Sequence, residues 1–153
     1  MILGLYIKAE LENVDSVRAV PGIRWEVDVK EPTGYEFRKN VYFSSSESYS
    51  IPNSRGDANF IVKWRDSDAR ASIRIAEEGI PYTTEDVGKF KCIAKFEARG
   101  LDIIKWHPRG GFQALRGGRV YAVTFQEGSW ADYDSDTNEP LSVLELDYKF
   151  AKL

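Results

Sequence analysis

The stretch ILGLYIKAEL, residues 2–11, repeats an aliphatic side chain at every second position from Leu3 onward. Successive side chains of a β-strand point to opposite faces, so a period of two predicts a strand with one buried face. Charged side chains occur within the first ten residues, which favours a strand over a signal peptide. The predicted buried face carries Leu3, Leu5, Ile7, Ala9 and Leu11.

Similar alternation recurs along the chain, and turn-forming pairs such as Pro21-Gly22 and Gly117-Gly118 separate the runs. The pattern predicts an all-β protein of about eight to ten short strands, in an antiparallel sandwich or open barrel with little helix. One helical turn is expected near 84–87, with Thr84 as its cap. The further strands are expected at 23–29, 36–44, 58–64, 72–76, 90–98, 119–126 and 141–150.

Length and composition indicate a single globular domain over 1–153, since 153 residues can bury one full core but not two. The net charge of −3 disfavours a general nucleic-acid binder. No apolar run approaches the ~20 residues of a membrane span. The single cysteine, Cys92, excludes an internal disulfide and fits a reducing compartment, so we expect the cytoplasm.

A short motif occurs twice at a constant spacing. KAE at 8–10 and VD at 14–15 are followed 87 residues later by KFE at 95–97 and LD at 101–102. A turn and a further strand follow each copy. The repetition is consistent with two similar halves packed face to face, and shared strand patterning also explains it.

The stretch DSDTNEPLSVLE, residues 134–145, has the oxygen-bearing side chains and the final glutamate of a helix–loop–helix calcium site. Such a site needs glycine at its sixth position, where this chain has Glu139, and Pro140 follows. The residues after Pro140 alternate as a strand rather than a helix. We therefore predict an acidic turn between two strands.

No pair of side chains has the spacing of a nucleophile and its base, so no enzyme activity is expected. His107 is the only histidine and lies where a strand is expected to end, which favours a surface or hydrogen-bonding role. Cys92 is expected to be a buried, inert thiol. A basic aromatic surface for RNA is conceivable, but acidic neighbours favour a solvated rim; its residues are Arg99, Arg109, Arg116, Arg119, Trp106 and Phe112.

Five segments carry a resemblance: AELENV (9–14), IPNSRGDANF (51–60), FEARGLD (96–102), the stretch from Trp106 to GFQA (111–114), and SWADYD (129–134). In this order and spacing the chain resembles the eukaryotic CXXC-motif-containing zinc-binding proteins, from about residue 3 to residue 150. The resemblance implies an all-β, sandwich-like fold of two related sheet halves. It also implies a family without known enzyme activity.

In that family two Cys-x-x-Cys pairs hold zinc with four thiolates, and this chain departs from the pattern. The first pair falls at Glu31 and Gly34 in KEPTGYE, and the second at Trp64 and Ser67 in KWRDSDA. None of the four is cysteine, and only Glu31 is a reasonable zinc ligand. We therefore expect a member without a metal or other cofactor.

Packing is expected to replace the metal. Pro32 would stiffen the first turn, and Trp64 would bury apolar area worth about 1.5–3 kcal/mol. Arg65 or Lys63 would pair with Glu31.

The leading hypothesis is a non-catalytic protein-binding or adaptor domain, with a protein partner and no nucleic acid or membrane. A second hypothesis is a small-ligand-binding or enzymatic sandwich whose site contains Trp106, His107, Arg109, Trp130 and Asp132. A third is metal handling by weak carboxylate ligands such as Asp66 and Asp68.

The residues Ala151, Lys152 and Leu153 match the small–basic–leucine tripeptide that peroxisomal import receptors read with a free carboxylate. A mobile tail would make a peroxisome or glycosome the alternative to the cytoplasm. Tyr148 and Phe150 directly precede the tripeptide, and a strand through them would hold it.

Overall fold

The computed structural model describes all residues, 1–153, and contains fifteen strands and one 3₁₀ turn. The predicted all-β fold class is confirmed. The strands outnumber the prediction for two reasons. Three of them have only 2 residues, too few to show alternation, and others, such as those at 112–116 and 130–134, lie outside the predicted runs. They are β1 Ile2–Glu12, β2 Ser16–Ala19, β3 Trp25–Lys30, β4 Phe37–Phe43, β5 Tyr49–Ser50, β6 Asp57–Ala58, β7 Phe60–Lys63, β8 Arg70–Glu77, β9 Tyr82–Thr83, β10 Lys91–Arg99, β11 Asp102–Trp106, β12 Phe112–Arg116, β13 Arg119–Val123, β14 Trp130–Asp134 and β15 Glu139–Lys152.

The first strand, β1, lies at the centre of a six-stranded antiparallel sheet with the order β14-β15-β1-β10-β8-β7. It pairs with β15 on one side and β10 on the other. Its predicted alternation is confirmed, since Leu5, Ile7 and Ala9 are buried while Lys8 and Glu10 are exposed. Burial of the aliphatic face fixes which side of the strand meets the core.

Two smaller sheets, β11-β3-β4 and β13-β12-β2-β9, close the core, and β5 pairs with β6 as a separate ribbon. The buried apolar residues form one continuous cluster. Trp25 on β3 is its aromatic centre, because its ring meets Phe96 at 5.3 Å and Phe112 at 6.1 Å, edge to face. Edge-to-face pairs add to the stabilisation that burial alone provides.

The two halves of the chain exchange strands. β15 of the second half pairs with β1 of the first, and β8 of the first half pairs with β10 of the second. In addition, β12 and β11 of the second half pair with β2 and β3 of the first. The register repeats as well: Leu11 lies opposite Val143, and Ala98, which follows Leu11 by 87 residues, lies opposite Ile73. The repeated motif thus reflects two related halves, each completing the sheet of the other.

The expected helical turn is present as a 3₁₀ turn at Thr84–Asp86, but its cap is Thr83 rather than Thr84. The Thr83 hydroxyl accepts a hydrogen bond from the Glu85 N–H, and the Asp86 carboxylate accepts one from the Thr83 N–H. The Thr83–Asp86 spacing allows this reciprocal cap, whereas Thr84 has only Val87 three residues later. None of the helical segments has the length and apolar character that a membrane crossing needs.

Candidate functional site

Two hairpin tips bring the four family ligand positions into one region. The turn between β3 and β4 carries Glu31 and Gly34, and the turn between β7 and β8 carries Trp64 and Ser67. A cleft of ≈ 500 Å³ separates the tips. Its lining residues are Glu31, Gly34, Tyr35, Glu36, Phe37, Arg65 and Asp66.

A single carboxylate, Glu36, joins the two tips. Its Oε1 accepts a hydrogen bond of 2.8 Å from the Arg65 N–H, and its Oε2 accepts one of 2.8 Å from Nε of Arg38. Arg38 also donates to the Lys63 carbonyl at 3.5 Å. The bond from Arg65, and then the Arg38 guanidinium, hold the pKa of Glu36 below its usual value.

The expected pairing of Glu31 with Arg65 or Lys63 is wrong, because Glu36 occupies that role. The Glu31 carboxylate instead folds back over its own turn and fills the space that a Cβ at Gly34 would need. Gly34 has no side chain that could bind a metal. Of the two family ligand positions on this turn, only Glu31 therefore offers a possible zinc ligand.

The expected burial of Trp64 is confirmed: the residue is 4% exposed. Its Nε1 donates to the Gly100 carbonyl at 2.8 Å, and the Arg38 guanidinium lies 5.9 Å above its ring. A side chain fixed in this way cannot face a metal in the cleft. No group of three or more histidine, cysteine or acidic side chains converges as metal ligands do. The residues present therefore do not fit the zinc site that the family name implies.

The equivalent tips of the second half are joined by ion pairs. Arg116 at the end of β12 donates to Asp134 at 3.1 Å and to Glu139 at 3.2 Å, and Arg119 pairs with Asp136. Burial disfavours the charged form of Asp134, but hydrogen bonds from Thr137 and Arg116 outweigh it and lower the pKa of that carboxyl. The predicted acidic turn between two strands is confirmed.

Trp106 is the last residue of β11, which pairs with β3, and His107 and Arg109 follow it. Trp106 is buried and packs edge to face against Tyr148 at 5.4 Å. Nε2 of His107 lies 2.8 Å from Oδ1 of Asp28, and Nε of Arg109 lies 3.2 Å from Oε1 of Glu26. His107 and Arg109 thus cover two buried carboxylates.

Sequence reasoning missed Glu26 and Asp28, which alternate with core residues of β3 and are themselves buried. Asn40, at φ 54° in a bulge of β4, donates its N–H to Asp28 at 2.8 Å and its side-chain amide to Glu26. Burial opposes ionisation of both carboxyls, but these bonds, with those from Arg109 and His107, lower the pKa of each. The only sequence signal of this cluster is the pair of acids between apolar positions of β3.

Trp130 and Asp132 do not join this cluster. They lie on β14 at the edge of the six-stranded sheet, opposite Val143 and Leu141. None of the five principal cavities is lined by either residue or by Trp106, His107 or Arg109. Each of the four arginines considered for RNA is in an ion pair, namely Arg99, Arg109, Arg116 and Arg119.

Cys92 is half-buried, so its expected full burial is wrong. The residue lies opposite Tyr6 on the outer face of the six-stranded sheet rather than on the core face. Its Sγ donates to the Ala94 carbonyl at 3.3 Å, and burial raises the pKa of the thiol. A raised pKa disfavours the reactive thiolate.

Comparisons with known proteins agree with the geometry of the fold. Residues 4–151 match the family described as CXXC motif containing zinc binding protein, eukaryotic. The rat protein of that name is 34% identical and the human one 32% identical, and each match covers 98% of both chains. A solved structure described as a hypothetical protein from Plasmodium falciparum has a TM-score of 0.92 and 27% identity, covering 99% of both chains.

The fold is that of an all-β protein built from two strand-exchanged halves. The chain belongs to the eukaryotic family of CXXC motif containing zinc binding proteins. The resemblance carried by the five sequence segments is confirmed.

Replacement of the buried indole tests its role at the tip. Trp64→Ala is expected to lower the free energy of unfolding by about 3–5 kcal/mol, because it removes a buried ring and leaves a cavity. Trp64→Phe keeps most of the apolar area but leaves the Gly100 carbonyl without its donor, for a loss of about 1–3 kcal/mol. Urea denaturation followed by circular dichroism measures both. A loss below about 1 kcal/mol for Trp64→Ala would contradict this role.

Acid titration of stability tests the Glu36 bridge. Because the pKa of Glu36 is lowered on folding, the carboxylate stabilises the fold above its unfolded value of 4.5. This contribution is lost as the pH falls through the lower folded pKa. Glu36→Gln is expected to be less stable at neutral pH, and its unfolding free energy should fall less steeply between pH about 5 and 3 than that of the wild type.

The matched control for Glu36→Gln is Glu31→Gln, which makes the same chemical change on the same turn. The Glu31 carboxylate has no hydrogen bond or ion pair, so this variant should follow the wild-type curve. If Glu31→Gln departs from the wild-type curve as far as Glu36→Gln does, the charge of the turn matters and not the bridge.

Proposed function

We propose that this chain is a non-catalytic binding domain that acts through contacts with another protein and needs no bound metal. The observation that carries the proposal is the Glu36 bridge. The relatives are named for a zinc-binding motif, whereas here one carboxylate, Glu36, joins the two hairpin tips and the indole beside it, Trp64, is buried and hydrogen-bonded to Gly100. A fold that is kept while its ligand positions are changed favours a role for its surface.

The surface beside the bridge favours a protein partner. Tyr35 at the tip of the β3–β4 hairpin is 95% exposed, and Phe37 and Tyr42 on the same hairpin are about half exposed. Aromatic side chains are enriched at protein interfaces, where their burial supplies much of the binding energy. The β3–β4 hairpin is therefore the contact surface in this proposal.

A small-ligand or enzymatic site at Trp106, His107 and Arg109 has less support. Nε2 of His107 and Nε of Arg109 already contact Asp28 and Glu26, and none of the five principal cavities is lined by either residue.

Metal handling by carboxylates also has less support. Asp66 and Glu31 line the cleft between the tips, but the third acid there, Glu36, is already hydrogen-bonded to Arg65 and Arg38. Oxygen ligands alone would also bind zinc weakly and unselectively.

We place the protein in the cytoplasm in this proposal. Ala151 and Lys152 pair with Gly4 and Leu3 of β1, and the Leu153 N–H donates to the Ile2 carbonyl at 2.9 Å. An import receptor takes up the tripeptide as a free tail, so these strand contacts would first have to open.

Microscopy of living cells tests the location. A fluorescent protein fused to the N-terminus, with the Leu153 carboxylate left free, is expected to be diffuse in the cytosol. Deletion of residues 151–153 should change nothing, because the tripeptide is held in the sheet. Concentration in peroxisomes that this deletion abolishes would establish the import alternative.

Affinity capture with chemical cross-linking from native cells tests the binding proposal. The combined variant Tyr35→Ser, Phe37→Ser and Tyr42→Ser is expected to recover its partner at least about tenfold less than the wild type, because it removes the exposed rings. The control combines Val120→Ser and Tyr133→Ser, which are about equally exposed on the second half, and should retain the partner. Equal recovery by both variants, or turnover of a small molecule without any partner, would contradict the proposal.

A further inference from the structure

An open groove lies between two strands that end their sheets. β4 has only β3 as its ladder partner, and β7 has only β8. One hydrogen bond, from Arg38 to the Lys63 carbonyl, crosses between β4 and β7 at one end. At the other end the strands part to leave a groove of ≈ 360 Å³, whose apolar lining is Tyr42, Tyr49, Pro52, Phe60 and Ile61.

The rings of this groove are held in place although they face solvent. Tyr42 is 52% exposed and Tyr49 is 49% exposed, so about half of each residue is open to solvent. The Tyr49 hydroxyl donates to Glu47 at 2.9 Å, and the Arg24 guanidinium lies 5.3 Å from the Tyr42 ring centre. Rings fixed before binding lose little conformational entropy when a ligand covers them.

The groove continues into a basic region. A second cleft of ≈ 410 Å³ shares Pro52 as a wall and is lined by Lys63, Arg70 and Asp68. Neither Lys63 nor Arg70 has a carboxylate partner, and Arg70 contacts only the Asp68 main-chain carbonyl. Two unpaired cations beside one acid leave this end with a positive charge that an acidic ligand would complement.

The edges of the groove do not suit the addition of another strand. Lys39 and Lys63 are exposed on the two end strands, and Asn40 at φ 54° interrupts β4. Exposed lysines and bulges are the usual protection of a sheet edge against further pairing. The groove therefore suits a ligand that binds through side-chain packing rather than through a backbone ladder.

We infer that this groove binds an extended, proline-containing segment of a partner protein, with acidic residues at the end that lies over Lys63 and Arg70. Proline-rich segments dock on aromatic-lined grooves and are already ordered as a polyproline II helix. The volume lies within the range of about 300–1,000 Å³ that ligand sites occupy. The inference rests on the proposed protein-binding role and assigns that role a site and a ligand chemistry.

The test is a titration of the ¹⁵N-labelled full chain, followed by nuclear magnetic resonance, with a synthetic peptide of four prolines and two C-terminal glutamates. Saturable shifts are expected at Tyr42, Tyr49, Phe60 and Lys63. A peptide with lysines in place of the glutamates should bind about tenfold more weakly, because the charge at the basic end is reversed. A peptide with alanines in place of the prolines should lose binding by a similar factor.

Three variants locate the binding. Tyr42→Ser and Tyr49→Ser are each expected to weaken the glutamate peptide about tenfold. Lys63→Glu should leave the proline contacts intact and remove the preference for glutamate over lysine. Tyr133→Ser, on the opposite half, should change nothing. A thermal unfolding curve of each variant confirms that the chain is folded.

The inference is overturned if no groove resonance saturates at millimolar peptide, or if the tyrosine variants bind as the wild type does. In that case capture of a partner that still depends on Tyr35 and Phe37 leaves the proposed function standing. If capture of the partner does not depend on Tyr35 and Phe37 either, both proposals are wrong.

Discussion

The antiparallel pairing of β1 with β10 is the contact on which the rest of the structure depends. It joins the two related halves at the centre of the six-stranded sheet, and it places β15 beside β1 and β8 beside β10. Each half therefore lacks a complete sheet without the other. Because Leu5, Ile7, Phe96 and Ala94 of these strands are buried, a slip of one residue would turn them outward.

This exchange places the hairpin tips of each half side by side, away from the central pairing of β1 with β10. In the second half Arg116 holds the tips through Asp134 and Glu139. In the first half Glu36 joins the tips, next to the positions where the family has its zinc-binding motif. In both halves, charged side chains and hydrogen bonds thus join the tips.

The sequence predicted the features that depend on local pattern. The alternation of β1, the repeated motif and the burial of Trp64 all follow from residue spacing and side-chain size. The choice of Glu36 over Glu31 did not, because it depends on how two separate hairpins approach each other. The burial of Glu26 and Asp28 was missed for the same reason, since a bulge at Asn40 and the end of β11 cover an outward-facing strand surface.

The measurement that tests the metal-free closure most directly is native-state hydrogen exchange at the Arg65 amide and the Trp64 indole, in buffer containing a chelator. Both N–H groups donate to acceptors within the chain, to Glu36 at 2.8 Å and to Gly100 at 2.8 Å. They should therefore exchange slowly, and addition of zinc should leave their rates unchanged. Fast exchange of both groups with the chelator, followed by protection when zinc is added, would contradict the account.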